Sequence, residues 1–271
     1  MTTAEKQMLN ALVDLKENHN IAGVKISYED EGLTGDMAQI INAIALKAGV
    51  PVSVKIGGCE ARRDMYDAKL LGASKVVAPM VETAYAMKKF VEAAHSVYTD
   101  EEYSDTKFMV NIETITGYKN LPQMVATEEF KEINGIVLGR VDFSGSMGRD
   151  RGFVNSEEMQ KIAIDMANIA QAHGKKFLIG GGVSADSLAF FRKLPAVAFS
   201  SFETRNIIFD ASYALQDKNI SHALIKAMGF ELAWMRRKNE FYGHLSNAEI
   251  RRIAMIEERY KHSLANLERN K

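Results

Sequence analysis

The chain is poor in the features that mark several protein classes. Its one cysteine, Cys59, excludes an internal disulfide and fits a reducing cytoplasm. No apolar run approaches the roughly 18 residues that a membrane span requires. Neither sign of charge dominates: Lys and Arg number 34 against 35 Asp and Glu, so nothing favours nucleic acid or an anionic membrane. The opening stretch, MTTAEKQMLNALVDLKENHN, is a charged amphipathic helix pattern without the apolar core of a signal peptide, and a cytoplasmic location is expected. There is no Walker A motif and no G-x-G-x-x-G after a strand. Cys59 reads as a small turn residue rather than a reactive thiol.

What is present is an ordinary globular composition over 271 residues, 46% hydrophobic and 25% charged. Short apolar runs alternate with helical patterns. The runs Ala22–Ser27, Val52–Ile56, Lys75–Ala78, Phe108–Ile112, Gly135–Leu138, Lys176–Ile179 and Ala196–Ser200 read as strands buried on both faces of a parallel sheet. Helices are expected over Asp36–Ala48, Arg62–Leu71, Thr83–Ala94 and Ser156–His173. Repeated βα units of this size build a barrel or an open doubly wound sheet. Seven strands are one short of a (β/α)8 barrel. Because a helix precedes the first strand, the gap is expected at the very start. From Asp217 the pattern is helical, with Ser246 a credible N-cap. A barrel over residues 1–216 and a helical extension over 217–271 are therefore expected, with loops at Tyr98–Lys107 and Val125–Phe130.

Barrels of βα units carry function at the carboxyl ends of their strands. Two such ends finish on an acid: NIETITGY places Glu113 there, and GIVLGRVDFSGSMG places Asp142. Adjacent strand ends let the two carboxylates converge, and two carboxylates plus waters are the usual protein share of a Mg²⁺ site. Each acid could equally cap the following helix or pair with a nearby cation. Lys55, Arg62, Arg63 and Arg140 supply positive charge, with a solvated first helical turn the alternative for Arg62 and Arg63. The glycines of KIGGCEARRD (Gly57, Gly58) and GGGVSAD (Gly181, Gly182) could present backbone N–H groups to an anion, or form tight turns, the second with Ser184 as N-cap. All six histidines fall in or beside helices, so acid–base work is left to carboxylates, Lys55 or metal-bound water.

At APMVET, NIETITGYKNLPQM and INGIVLGRVDFSGSMG the sequence resembles the HpcH/HpaI aldolase and citrate lyase β-subunit family, over roughly residues 20–205. The resemblance implies a TIM-type barrel and a divalent ion, Mg²⁺ or Mn²⁺, bound through Glu113 and Asp142. It also implies a pyruvate- or oxaloacetate-like 2-oxo acid held on that ion as its enolate. Glu29 and Asp30, in SYED, take the place of the family's early acids, but no histidine follows them. Lys55 stands where the family has a substrate-binding arginine, and Arg140 where it has a proline.

The expected function is a metal-dependent carbon–carbon lyase in which Lys55 and backbone N–H groups anchor a carboxylate. Glu29, Asp30, Lys55 and Arg140 are its candidate catalytic groups. The alternative is a non-catalytic or partner-dependent barrel that binds an anionic metabolite. A homo-oligomer is expected either way, because Leu232, Trp234, Met235, Ile250, Ile253 and Ile256 give the extension more apolar surface than free helices expose.

Overall fold

The computed structural model describes residues 1–269 and shows a closed eight-stranded barrel wrapped in helices, followed by one long helix. Helix α1 (Thr3–His19) leads into β1 (Ile21–Ser27), then the one-turn α2 (Tyr28–Glu31) and α3 (Gly35–Ala48). Three βα units follow: β2 (Val52–Lys55) with α4 (Arg62–Leu70), β3 (Lys75–Ala78) with α5 (Ala84–Val97) and α6 (Asp100–Asp105), and β4 (Lys107–Ile112) with α7 (Ile115–Val125) and α8 (Glu128–Glu132). Next come β5 (Gly135–Gly139), α9 (Arg140–Ser146), α10 (Glu157–Ala172), β6 (Lys176–Gly180) and α11 (Leu188–Phe191). The chain closes with β7 (Phe199–Glu203), β8 (Ile207–Asp210), α12 (Ala211–Ala214) and α13 (Ile220–Arg269).

Threonine and serine side chains at the strand-to-helix junctions fix where several helices begin. Thr83, Thr114 and Ser156 each accept a hydrogen bond from the backbone N–H of the helix they precede. Outward residues such as Val24, Ile26, Val76, Phe108, Val110 and Phe177 join the helices in one continuous core. Inside the barrel the apolar content is small, a separate cluster of Val77, Met109, Val137 and Leu178. TIM-type interiors are normally packed with branched apolar side chains. Here much of that space is polar.

The strand unread in the sequence is the eighth, not the first. It runs antiparallel to both neighbours, β7 and β1, while every other pairing is parallel. The cause is connection length. Only Thr204, Arg205 and Asn206 separate β7 from β8, and a parallel crossover needs a dozen or more residues. The chain therefore turns back as a hairpin, closed by the Thr204 backbone N–H donating to the Ile207 carbonyl at 2.9 Å. Strand β7 also begins three residues later than its apolar run suggests, after the turn at Pro195.

The reversal delivers the chain to the foot of the barrel, where α13 starts beside the end of α1. The two helices then run antiparallel. His19 pairs with Asp217, Lys226 with Asp14, and Arg237 with Glu5 at 2.8 Å. At the top of this run Trp234 is fully buried and donates through Nε1 to Glu31 Oε2 at 2.8 Å. Lys238 binds the same carboxylate, and Asn206 Nδ2 donates to its other oxygen. Trp234 thus belongs to the barrel seam and not to the exposed apolar surface expected of the extension. Ser246 is no N-cap, because α13 passes through it unbroken, a helix of about 75 Å at the usual rise. Short helices α6 and α8 occupy the two expected loops. Residues 270 and 271 of the expected extension lie outside the described residues.

The seam generates a graded expectation. Trp234→Ala should lower stability by roughly 3–5 kcal/mol. Trp234→Phe, which keeps the ring but loses the hydrogen bond to a carboxylate, should cost about 1.5–3 kcal/mol. Urea denaturation of both variants is the measurement. Equal losses would place the energy in the hydrogen bond and not in packing.

Candidate active site

The carboxyl ends of the parallel strands surround a cavity of about 330 Å³. Its charged lining comprises six carboxylates (Glu29, Asp30, Glu113, Asp142, Glu203, Glu231) and four cations (Lys25, Lys55, Arg151, Arg205). Backbone direction explains the convergence. Side chains alternate along a strand, so Lys25, Lys55, Asn111 and Glu203 point inward from β1, β2, β4 and β7 while their apolar neighbours face the helices.

Glu113 is almost completely buried, yet well supplied with donors. Asn111 Nδ2 lies 2.8 Å and Lys55 Nζ 3.3 Å from its Oε2, and the Met80 backbone N–H donates to Oε1 at 3.0 Å. Asn111 Oδ1 is buried without a partner among the described residues. Lys55 also pairs with Glu29 Oε2 at 3.0 Å. Burial alone would lower the Lys55 pKa, but Glu113 and Glu29 outweigh it and hold the ammonium above its ordinary value. The lysine is therefore engaged by two carboxylates.

Two glycines make room for the acids. Gly139 and Gly180 are register partners on β5 and β6. A Cβ on Gly139 would sit 2.8 Å from Glu113 Cβ, and one on Gly180 would sit 3.1 Å from Glu203 Oε1. Glu203 Oε1 in turn meets Lys25 Nζ at 2.5 Å. Lys75, inward on β3, lies in the same row through Ser53, and burial holds its pKa below the ordinary value with Glu203 opposing.

Of the residues nominated from sequence, Lys55, Glu29, Asp30, Glu113, Asp142, Gly181 and Gly182 all line the cavity. Asp142 is exposed, with no ion pair among the described residues, and Asp30 pairs with Arg205 at 3.0 Å. Gly181 has φ +79°, and a Cβ there would lie 2.7 Å from the Val141 nitrogen, so the turn packs directly on the start of α9. Ser184 caps the next turn, as the tight-turn alternative anticipated.

Three nominations need correction. Arg140 lies outside the cavity lining, fully buried, donating to the Val154 carbonyl at 3.1 Å and Asn155 Oδ1 at 2.8 Å. Its guanidinium is flanked by the rings of Phe190 and Phe191, each 5.1 Å away. Burial pushes its pKa down to about 9. It ties the 151–155 turn to the barrel and adds no cation beside Asp142. Gly57 and Gly58 also lie outside the lining, and the Gly57 N–H is taken by Asp64 at 2.7 Å. Arg62 and Arg63 are exposed on the first turn of α4. Burial pushes the Cys59 thiol up, which makes a thiolate less accessible. Sequence reasoning missed Lys25, Arg151, Glu203, Arg205 and Glu231. A lysine in the middle of a doubly buried strand, as in IAGVKIS, was the one available signal.

A family model described as HpcH/HpaI aldolase/citrate lyase matches residues 36–184, more than half of the chain. Among proteins with curated descriptions, no relative matches. The chain is similar in structure to an HpcH/HpaI aldolase from Desulfitobacterium hafniense DCB-2, at 18% identity and TM-score 0.55, covering 67% of this chain and 77% of that one. It is also similar to the citrate synthase SbnG at 16% identity and TM-score 0.59, and to macrophomate synthase at 16% and 0.54, each covering 86% of this chain and 90% of the other. These identities speak to fold alone.

The Lys55 pairing leads to a signed pH expectation. Lys55→Met leaves Glu113 buried without its ammonium, which should cost roughly 3–5 kcal/mol, towards the lower end because Asn111 and Met80 N–H remain. Since the folded state raises the Lys55 pKa, this contribution is present below about pH 10.5 and is lost as pH rises through the higher folded value. The melting-temperature gap between wild type and Lys55→Met should narrow above that pH. A gap independent of pH up to 11 would assign it to packing.

Proposed function

Because the chain belongs to the HpcH/HpaI aldolase/citrate lyase family, we propose that it is a divalent-metal-dependent carbon–carbon lyase acting on a pyruvate- or oxaloacetate-like 2-oxo acid through its enolate. The observation that carries the reading is the charge balance of the cavity. Six carboxylates against four cations leave two negative charges in excess. An anionic substrate is repelled by such a lining, and a divalent cation neutralises it.

Glu113 and Asp142 are the residues that would hold that ion. An ionised carboxylate has about four acceptor sites, and Glu113 has three filled, so one remains. Asp142 is free of ion pairs among the described residues. No group of three or more His, Cys, Asp or Glu among the described residues is placed to bind a metal. Magnesium is compatible with that, because it uses one or two carboxylates and keeps several waters. Mg²⁺ or Mn²⁺ bound there supplies a Lewis acid for the 2-oxo group and the enolate oxygen.

The chain's own residues do the rest. Arg151, a cavity cation without an ion pair among the described residues, meets the substrate carboxylate from the rim. Lys55 fixes the Glu113 carboxylate and lends positive charge beside it. Gly181 and Gly182 line one wall with main chain alone, and Val137 and Val183 give the substrate's methyl group an apolar surface. No helix is long and apolar enough to cross a membrane among the described residues.

We infer further that the chain is a homo-oligomer built through α13. Beyond Phe241 the helix leaves the barrel seam, and Tyr242, Leu245, Ile250, Ile253, Ile256 and Tyr260 are exposed on it. That is more apolar surface than a solitary helix keeps in water.

Purified protein with Mg²⁺ should exchange the methyl protons of pyruvate in deuterated water, followed by NMR. Exchange no faster than in a protein-free control would favour the non-catalytic alternative. Glu113→Gln and Asp142→Asn should each abolish Mg²⁺ binding in calorimetric titration while the circular-dichroism spectrum stays that of the parent. Light scattering at micromolar concentration should give a mass above that of one chain, and Ile250→Glu with Ile253→Glu should return it to monomer.

A further inference from the structure

We propose that Glu203, positioned by Lys25, is the proton-transferring group of this cavity, in the place that a histidine would fill. The proposal rests on the lyase reading above and assigns its acid–base chemistry.

No histidine lines the cavity, so the proton is left to a carboxylate, a lysine or metal-bound water, and the cavity supplies one carboxylate suited to carry it. The other acids are committed or too wet. Glu113 has three donors, Asp30 pairs with Arg205, and Glu231, only half-buried on α13, accepts the Asn206 backbone N–H. Glu29 is shared with Lys55 and about 29% exposed, and Asp142 is exposed at the rim. Glu203 differs. Its side chain is 8% exposed, it lines the cavity, and its one partner is Lys25 on Oε1. Oε2 takes no hydrogen bond from the described residues and is not among the sealed, unpartnered atoms, so it faces the cavity space.

The wall is shaped for this. Glu203 lies against Gly180 as Glu113 lies against Gly139, and the two glycines are register partners. The carboxylates therefore approach the same bare stretch of β5 and β6 from opposite sides. A 2-oxo acid bound beside Glu113 presents its C3 carbon towards Glu203. The ammonium of Lys25 holds Oε1 and leaves Oε2 as the proton acceptor. Lys25 acts through Glu203 and is a positioning residue.

In the exchange reaction Glu203 Oε2 takes a proton from C3 of pyruvate. The C–H electron pair becomes the C2–C3 double bond and the carbonyl pair moves onto oxygen, giving the enolate and a neutral Glu203. Return of a solvent-derived deuteron from Glu203 to C3 restores pyruvate. Oxaloacetate reaches the same enolate by a different route: the C3–C4 bond breaks, its electron pair stays on C3, and CO₂ leaves without any base.

The two routes give the test, run on the full-length protein with Mg²⁺. Glu203→Gln should slow pyruvate methyl exchange at least a hundredfold, the usual scale for loss of a general base. Oxaloacetate decarboxylation should fall less than tenfold. Glu203→Asp should recover part of the exchange. Lys25→Arg should keep the ratio of the two rates within a few-fold of wild type, while Lys25→Met lowers exchange selectively. Equal loss of both reactions together with a lower melting temperature would show a purely structural ion pair and overturn the proposal. Exchange that persists in Glu203→Gln would overturn it as well. Failure of wild-type protein to decarboxylate oxaloacetate would instead remove the lyase reading beneath it.

Discussion

The three residues between β7 and β8 constrain the rest of the molecule. A link this short cannot carry a crossover helix, so the last strand reverses and the barrel is closed by antiparallel pairing on both sides. The chain then emerges at the foot of the barrel beside α1, and α13 climbs the outside back to the mouth. Asn206, in the turn itself, donates to the Lys25 carbonyl and to Glu31, and its N–H reaches Glu231 on α13. One turn thus joins the first strand, the long helix and the rim of the cavity.

The second organising fact is charge in the barrel interior. Two lysine–glutamate pairs, Lys55–Glu113 and Lys25–Glu203, occupy space that apolar side chains fill in most barrels of this type. Buried ion pairs of this kind contribute little net stability once desolvation is counted. Under the proposed function their retention serves chemistry at the mouth. The glycines at 139 and 180 show the same priority, since each leaves a gap in the wall that a glutamate then enters.

How far the sequence was readable follows from what each residue's neighbours reveal. Glu113 and Asp142 were legible as cavity residues because each follows closely on an apolar run, at the carboxyl end of a barrel strand. Strands β1 to β7 were legible from their apolar runs, within a few residues. Strand β8 was not, because Ile207–Asp210 follows its predecessor without the helix that marks every earlier unit. Glu203 lies just past the run Ala196–Ser200, but its partner Lys25 is 178 positions away, and only closure of the barrel brings them together. Arg140 misled because a cation two residues from Asp142 looks like part of the site. Both residues lie in the first turn of α9, where side chains two positions apart point about 200° from each other, and Arg140 points into the core.

Trp234 is the chain's only tryptophan. Its indole N–H is bonded to Glu31, which closes the one-turn helix carrying Glu29 and Asp30, both in the cavity wall. The tryptophan emission therefore originates one hydrogen bond away from a segment that lines the cavity. A shift of that short helix changes the electric field at the indole, and with it the emission wavelength. The molecule carries a built-in optical probe of its cavity wall.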